Sequence, residues 1–430
     1  MANSYLNRTT GSPSNADKIT ISAWVKRTTQ GAEQVIIGEY GSSTNRSKLQ
    51  FKSDDKLEYY QVDGGSATVQ IRTSRVFRDP SAFYHIVMQY DSAQSTSSDR
   101  LKIYVNGTQE TSLSVSTYPP QNQDTRLNKS GVNLHIGQDG NSGNYFEGYI
   151  SHIALVDNAI SAPTVFGETD STSGIWKFKS LSGVTWGTNG FHLKMENSGA
   201  MGTDSSGNTN TFTVNGNLKQ ALDTPSNVYA TWNRLDTNSN ATLSNGNTTF
   251  ATSSNNSYEP GKCTLGFSSG KWYSEHKLTS TIGYALMMGI HKTSLNGQDQ
   301  TSMDSGRYVY DLSGGTIKST SGGTLQSGLA TLTNGDILGI AVDCDNGTIK
   351  FYKNGSQVGT TVTNSEISSN EWTFGSQPRL NTTVSSNFGN GFFGTTAISS
   401  AGSNGNGSLF EYDVPSGYYA LNTKNINTYG

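Results

Sequence analysis

Glu58 and Asp63, in the run EYYQVD, are the nearest approach to a catalytic carboxylate pair in this chain. Glycoside hydrolysis needs two carboxyl groups flanking one bond, one as acid and the other as base or nucleophile. On a strand, a separation of five residues puts the two on opposite faces. They are therefore expected to be solvated edge residues, and no catalytic residue is assigned. Cys344 stands between Asp343 and Asp345, whose charge disfavours a thiolate, which makes it a poor nucleophile. Cys344 and Cys263 are far apart in sequence; two small buried thiols are expected, although a bridge is sterically open.

Six histidines, His85, His135, His152, His192, His276 and His291, are scattered singly on expected strands. None has the spacing of H-E-x-x-H or of a Cys/His cluster, so no histidine is assigned to a metal. Sugar binding needs an exposed ring to stack on a pyranose, with amides or carboxylates to hold its hydroxyls. The candidate ligand-binding rings are Tyr59, Tyr60, Trp186 and Trp232. Tyr59 and Tyr60 are adjacent, so one of them faces outward on a strand. The two tryptophans lie in polar surroundings, with core or interdomain packing as the competing reading.

The elements that must position these residues are strands. Alternation of period two recurs, while helical periodicity is nearly absent. Ile19, Ile21, Ala23 and Val25 share a face, as do Leu101, Ile103 and Val105, and Tyr84, Ile86, Met88 and Tyr90. Asn106-Gly107 marks a tight turn. Leu338, Ile340, Val342 and Cys344 point one way, Asp345-Asn346-Gly347 closes a hairpin, Ile349 and Phe351 resume the core face, and Asn354-Gly355 turns again. One helical turn is expected at SAPTVFG, with Ser161 as N-cap and Pro163 in its first turn. Two low-complexity stretches, 187–217 and 242–257, separate the halves, and alternating Phe191, Leu193, Met195, Phe212 and Val214 make the first of them linking strands.

Composition narrows the class. The 430 residues include 48 Gly; 33% are hydrophobic, 15% charged and 10% aromatic, and the net charge is −3. So many rings at low net charge argue for a folded, turn-rich β protein. With 30 Lys+Arg against 33 Asp+Glu and no basic block, phosphate neutralisation on nucleic acid is disfavoured. No apolar run approaches a membrane span, and the first residues lack the pattern of a secretory signal.

The order ITISAWVKR (19–27), FYHIVMQYD (83–91), LKIYVNGTQ (101–109), LHIG (134–137) and FEGYISHIALVDNAIS (146–161) resembles a laminin-G-like domain of the concanavalin-A-like jelly-roll class. GKWYSEHKL (270–278), LMMGIHK (286–292), GDILGIAVDCDNGTIKFYKNGSQVG (335–359), NFGNGFF (387–393) and VPSGYYALNTKNI (414–426) resemble a SPRY domain. Both halves together, with WVKRTTQG, DRLKIYVNG, FGETD and GTDSSGN, resemble large virion proteins of marine and freshwater bacteriophages, including cyanophages. Laminin-G-like folds can hold calcium in a rim loop. That makes Asp139 in QDGNSGN and Asp204 in GTDSSGN the candidate calcium ligands, but neither loop has the D-x-D-x-D-G ladder, and Asx turns account for both. Glycosidases on the concanavalin-like fold carry two close carboxylates on one strand, and this chain has no such E-x-D-x-x-E run. Relatives of the SPRY class bind peptides through loops at one end of the sandwich.

The expected architecture is all-β: a laminin-G-like jelly roll over residues 1–170, linking strands over 171–249 and a SPRY-like sandwich over 250–430. The expected role is a non-enzymatic structural protein on the exterior of a phage virion, made in the host cytoplasm and present in many copies. It would be a tail-associated adhesin or a capsid decoration, with other virion proteins and host-surface glycan as partners and neither nucleic acid nor membrane. A carbohydrate-active enzyme and a purely architectural brick are the alternatives. Near-neutral charge leads to binding by shape and hydrogen bonds rather than long-range attraction.

Overall fold

The computed structural model describes residues 3–254, 257–298, 306–319 and 323–430. Short antiparallel strands dominate, and the chain divides into two compact units, residues 1–220 and 221–430.

The first unit is a two-sheet sandwich. One sheet has eight strands in the spatial order Leu113–Thr117, Ser66–Val76, Lys56–Asp63, Asn45–Phe51, Gln34–Ser42, Asn133–Ile136, Tyr5–Thr9 and Thr213–Asn215. The other has six, in the order Phe191–Leu193, Gly148–Asp157, Lys18–Arg27, Tyr84–Asp91, Leu101–Val105 and Thr108–Gln109. The alternating residues meet between them: Ile19, Ile21, Ala23, Val25, Ile86, Met88, Tyr90, Leu101, Ile103 and Val105 are all in one buried cluster. This is the inward half of each pleat, the half that must leave water. Asn106 and Gly107 both take positive φ, 48° and 80°, as a two-residue turn between right-twisted strands requires.

The second unit is also a sandwich. A seven-stranded sheet runs Trp232–Thr237, Gly261–Cys263, Trp372–Pro378, Leu286–Lys292, Arg307–Asp311, Thr316–Lys318 and Thr324–Gln326. It faces Thr242–Ser244, Thr249–Ala251, Thr383–Asn387, Lys271–Leu278, Ile337–Asp343, Thr348–Lys353 and Ser356–Thr363, with Tyr419–Ala420 joining Lys271–Leu278 in parallel. Leu338, Ile340, Val342, Cys344, Ile349 and Phe351 lie together in its core. Cys263 and Cys344 are free and buried, and burial pushes the Cys344 thiol up to about 12, with Asp345 and Asp343 adding to it.

Two local expectations change. The stretch 171–249 is not a separate link: Trp176–Phe178, Phe191–Leu193 and Thr213–Asn215 build the first unit, and Trp232–Thr237, Thr242–Ser244 and Thr249–Ala251 the second. Residues 255 and 256 of the second low-complexity stretch lie outside the described residues. The turn near residue 163 is a 3₁₀ turn, Pro163–Val165, capped by Ala162; the Ser161 N–H instead donates to Thr20 Oγ1 at 2.9 Å. Among the described residues, no helix is long and apolar enough to cross a membrane.

Candidate functional site

The strand Lys56–Asp63 decides the fate of four expected site residues. Tyr59 points into the core, fully buried, where its hydroxyl donates to Gln61 Oε1 at 2.7 Å and meets Thr125 Oγ1 at 2.9 Å. Burial drives its pKa well upward. Tyr59 is therefore closed to any ligand. Tyr60, on the opposite face, lines an open groove of about 440 Å³. Glu58 also lies on that face, but it is not a solvated edge residue. Its strand is interior to the sheet, and the carboxylate is 2% exposed, accepting from Gln50 Nε2 and Gln70 Nε2, both at 2.8 Å. Asp63 is turned the other way and accepts from Gln61, Gln123 and Arg126.

The groove is built by side chains two residues apart on neighbouring strands, all on one face of the pleat. Arg46, Lys48 and Gln50 rise from one strand and Lys52 from the residue just past its end, Glu58 and Tyr60 from the next strand, and Gln70 and Arg72 from the third. The Arg46 guanidinium sits 5.8 Å from the Tyr60 ring centroid. Four cations, Lys48, Lys52, Lys56 and Arg72, share Glu33, Asp54 and Glu58; with Arg46 and with Asp139, whose charge also reaches Lys48, five cations face four carboxylates, a local surplus of one positive charge. Burial lowers the Lys48 pKa against the opposing pull of the Asp139 carboxylate, and the Arg46 charge adds to the lowering. Lysines often guard sheet edges against pairing, but these strands are interior, so edge protection does not explain them.

A second concavity, of about 400 Å³, lies over the outer face of the six-stranded sheet. The segment carrying Phe166, Leu181, Val184 and Trp186 packs there against Val87, Ala154 and Val156. Trp186 is half-buried and lines the cavity, its indole stacked on His192 with centroids 5.9 Å apart and planes 13° apart. His152 stacks more closely on Phe178, at 3.7 Å and 14°. The pairing of Gly148–Asp157 with Lys18–Arg27 slips between Ser151 and Ala154, and His152 at this bulge takes φ 46°. A bulge of this kind re-aims a side chain. His152 Nδ1 thereby comes to 3.4 Å from His192 Nε2. Burial lowers both histidines to about 4, which leaves both rings neutral at pH 7.

Trp232 is a core residue of the second unit, fully buried, with Nε1 donating to Ser386 Oγ at 3.2 Å. It is not available to a ligand, because polar sequence neighbours reveal nothing of what packs over a strand. Asp139 accepts from the Asn141 and Gly143 N–H groups and from Asn144 Nδ2, at 2.8, 3.1 and 2.8 Å. Asp204 accepts from the N–H groups of His192, Ser206 and Asn210 and from Ser206 Oγ, at 2.9, 2.8, 2.8 and 2.8 Å. Asp139 thus closes its own loop, and Asp204 closes its loop and ties it to the strand Phe191–Leu193. Among the described residues no group of three or more His, Cys, Asp or Glu converges as a metal-ligand set. The residues that sequence reasoning missed are Arg46, Lys48, Arg72, His152 and His192. The alternation of Arg46, Lys48 and Lys52 was a readable signal for the groove, whereas the histidine pair has none.

Compared with known proteins, residues 2–166 match the concanavalin A-like lectin/glucanases superfamily and residues 257–371 match the SPRY domain. The first unit therefore carries a concanavalin-A-like domain and the second a SPRY domain. Solved structures similar to the chain include the SPRY domain of human HERC1, at 16% identity, covering 36% of this chain and 96% of that one, with a TM-score of 0.31. The TRIM65 PSpry domain follows at 12% identity, 36% and 89% coverage and a TM-score of 0.30. A human SPRY domain is 16% identical, with 34% and 94% coverage and a TM-score of 0.28. No curated protein matches the chain.

Proposed function

We propose that this chain is a binding protein without catalytic chemistry, and that its first unit holds an acidic glycan in the groove around Tyr60. The supporting observation is the combination of a half-open ring, the partly exposed Gln70 amide and a surplus of cations on one sheet face. A tyrosine ring offers a pyranose a flat apolar face. Gln70, partly exposed, offers a donor to its hydroxyls, and Lys48, Lys52 and Arg72 attract a uronate or a sulfate. The whole-chain charge of −3 hides this local concentration.

The resemblance to bacteriophage virion proteins sets the proposed context. The protein decorates the exterior of a phage particle, in many copies and beside other virion proteins, and the groove contacts glycan of the host surface. The concanavalin-A-like and SPRY domains fit a binding or adhesion role. The test is a glycan array with matched acidic and neutral polysaccharides. Saturable binding to acidic members that weakens with salt supports the reading, and equal or absent binding overturns it. A map of an intact particle decides the location.

A further inference from the structure

We propose that His152 and His192 are the protein ligands of a divalent transition-metal site, suited to zinc, beside Trp186 in the second concavity of the first unit. Four observations lead there, none of which depends on the glycan groove.

The first is the distance. His152 Nδ1 and His192 Nε2 are 3.4 Å apart. Good hydrogen bonds from N–H groups lie at about 2.7–3.2 Å. A tetrahedral ion with Zn–N bonds of about 2.0–2.1 Å instead spaces two nitrogens by about 3.3–3.4 Å. The pair is thus long for a hydrogen bond and right for one edge of a tetrahedron. The second is orientation: Phe178 lies flat on His152, with centroids 3.7 Å apart, and the Trp186 ring runs nearly parallel to His192 at 5.9 Å, so both imidazoles sit among aromatic neighbours. The third is backbone conformation. His152 is held at φ 46°, an uncommon region for a residue with a side chain, and the bulge that puts it there is what turns Nδ1 toward the neighbouring strand.

The fourth is access. Both rings line a cavity of about 400 Å³ that also carries Glu196, Lys194, Ser182 and Ser205. Two imidazoles leave two coordination positions for water, for the Glu196 carboxylate or for an oxygen of a cavity guest. Glu196 is largely exposed and paired with Lys194 at 3.6 Å. Among the described residues no other two histidine rings approach in this way. On binding, the proton held between the two nitrogens shifts, by exchange with water, to the far nitrogen of the ring that carries it, so that each neutral ring turns a lone pair toward the ion and keeps one N–H on its other nitrogen. The ion would tie the bulged strand Gly148–Asp157 to the edge strand Phe191–Leu193.

Calorimetry with Zn²⁺ alone on the full chain tests this. One equivalent is expected to bind, with affinity falling at least about tenfold in His152→Gln and in His192→Gln. Binding that is absent, or unchanged in both variants, overturns the site. Should either variant fail to fold, Cu²⁺ on the wild-type chain decides, since imidazole also suits copper. Electron paramagnetic resonance is expected to show coupling to two imidazole nitrogens, and a spectrum with fewer rejects the proposal.

Discussion

The Trp176 indole donates its Nε1–H to His85 Nδ1 at 2.9 Å, and His85 Nε2 in turn meets Ser22 Oγ at 2.9 Å. His85 also stacks on Trp24, with centroids 4.4 Å apart. The indole fixes the tautomer, because a donor at Nδ1 leaves the proton on Nε2. Ser22 and His85 stand at the distance of a nucleophile and its base, but both are sealed from solvent. The third group is a donor rather than a carboxylate, so nothing stabilises an imidazolium there. The trio is a structural tie that fastens residues 176–178 onto the first sandwich.

Breaking that tie should be costly. Trp176→Phe leaves a buried ring nitrogen without its donor, and a loss of about 1–3 kcal/mol is expected. Gly107→Ala should cost at least as much, because a Cβ there, at φ 80°, would lie 2.6 Å from the Trp176 ring. Urea unfolding of the first unit measures both. A fragment ending at residue 170 should be less stable than one ending at 220, and equal stability would count against the tie.

The buried histidines make the protein acid-sensitive. Burial lowers His85, His276 and His291 to about 3 from the ordinary 6.5. Below pH 6.5 the unfolded chain takes up protons that the folded chain refuses. Stability is therefore full above that pH and falls toward pH 3, by at most about 1.4 kcal/mol per pH unit for each ring. Denaturant midpoints at pH 7, 5 and 4 check the sign.

Glu275 acts in the opposite direction. Burial raises it to about 7 from the ordinary 4.5, although the N–H groups of Tyr412 and Glu411 donate to it. Between pH 4.5 and 7 the folded chain keeps a proton that the unfolded chain has lost, so this contribution is present in acid and lost as pH rises. Glu275→Gln should therefore gain on wild type by up to about 1.4 kcal/mol per pH unit across that window. Parallel pH profiles for the two proteins would contradict the assignment.

Charge reversal in the groove separates adhesion from architecture. Lys48→Glu with Arg72→Glu should weaken acidic-glycan binding by about tenfold or more, or about 1.4 kcal/mol, and flatten its salt dependence. Tyr60→Ala should weaken it at all salt concentrations. Tyr59→Ala should instead unfold the first unit, since that ring is in the core. Thermal melts distinguish loss of binding from loss of fold.

Calcium should leave the melting temperature unchanged, because Asp139 has committed its oxygens to its own loop and Asp204 its oxygens to its loop and to the His192 N–H. Asp204→Ala, by contrast, should destabilise the first unit by about 1–3 kcal/mol, as buried donors such as the His192 N–H lose their acceptor. A shift on adding calcium that disappears in Asp204→Ala would reverse this view.

Strand identity, turn positions and the inward half of each strand were legible in the sequence, because alternation and Asn-Gly turns are properties of a few consecutive residues. Ile19 through Val25 and Leu338 through Cys344 needed nothing more. In LEYYQVD both registers carry apolar residues, so the choice between Tyr59 and Tyr60 belonged to the partner strands, which place Leu49 beside Tyr59 and Lys48 beside Tyr60. Trp186, His192 and His152 are joined by a bulge and a long return of the chain, and no local pattern encodes such a meeting. The tertiary structure also decided where the first sandwich ends. Its sheet edges are completed by Phe191–Leu193 and Thr213–Asn215, far along the chain from the strands they cover, since an open edge is satisfied by whatever segment reaches it.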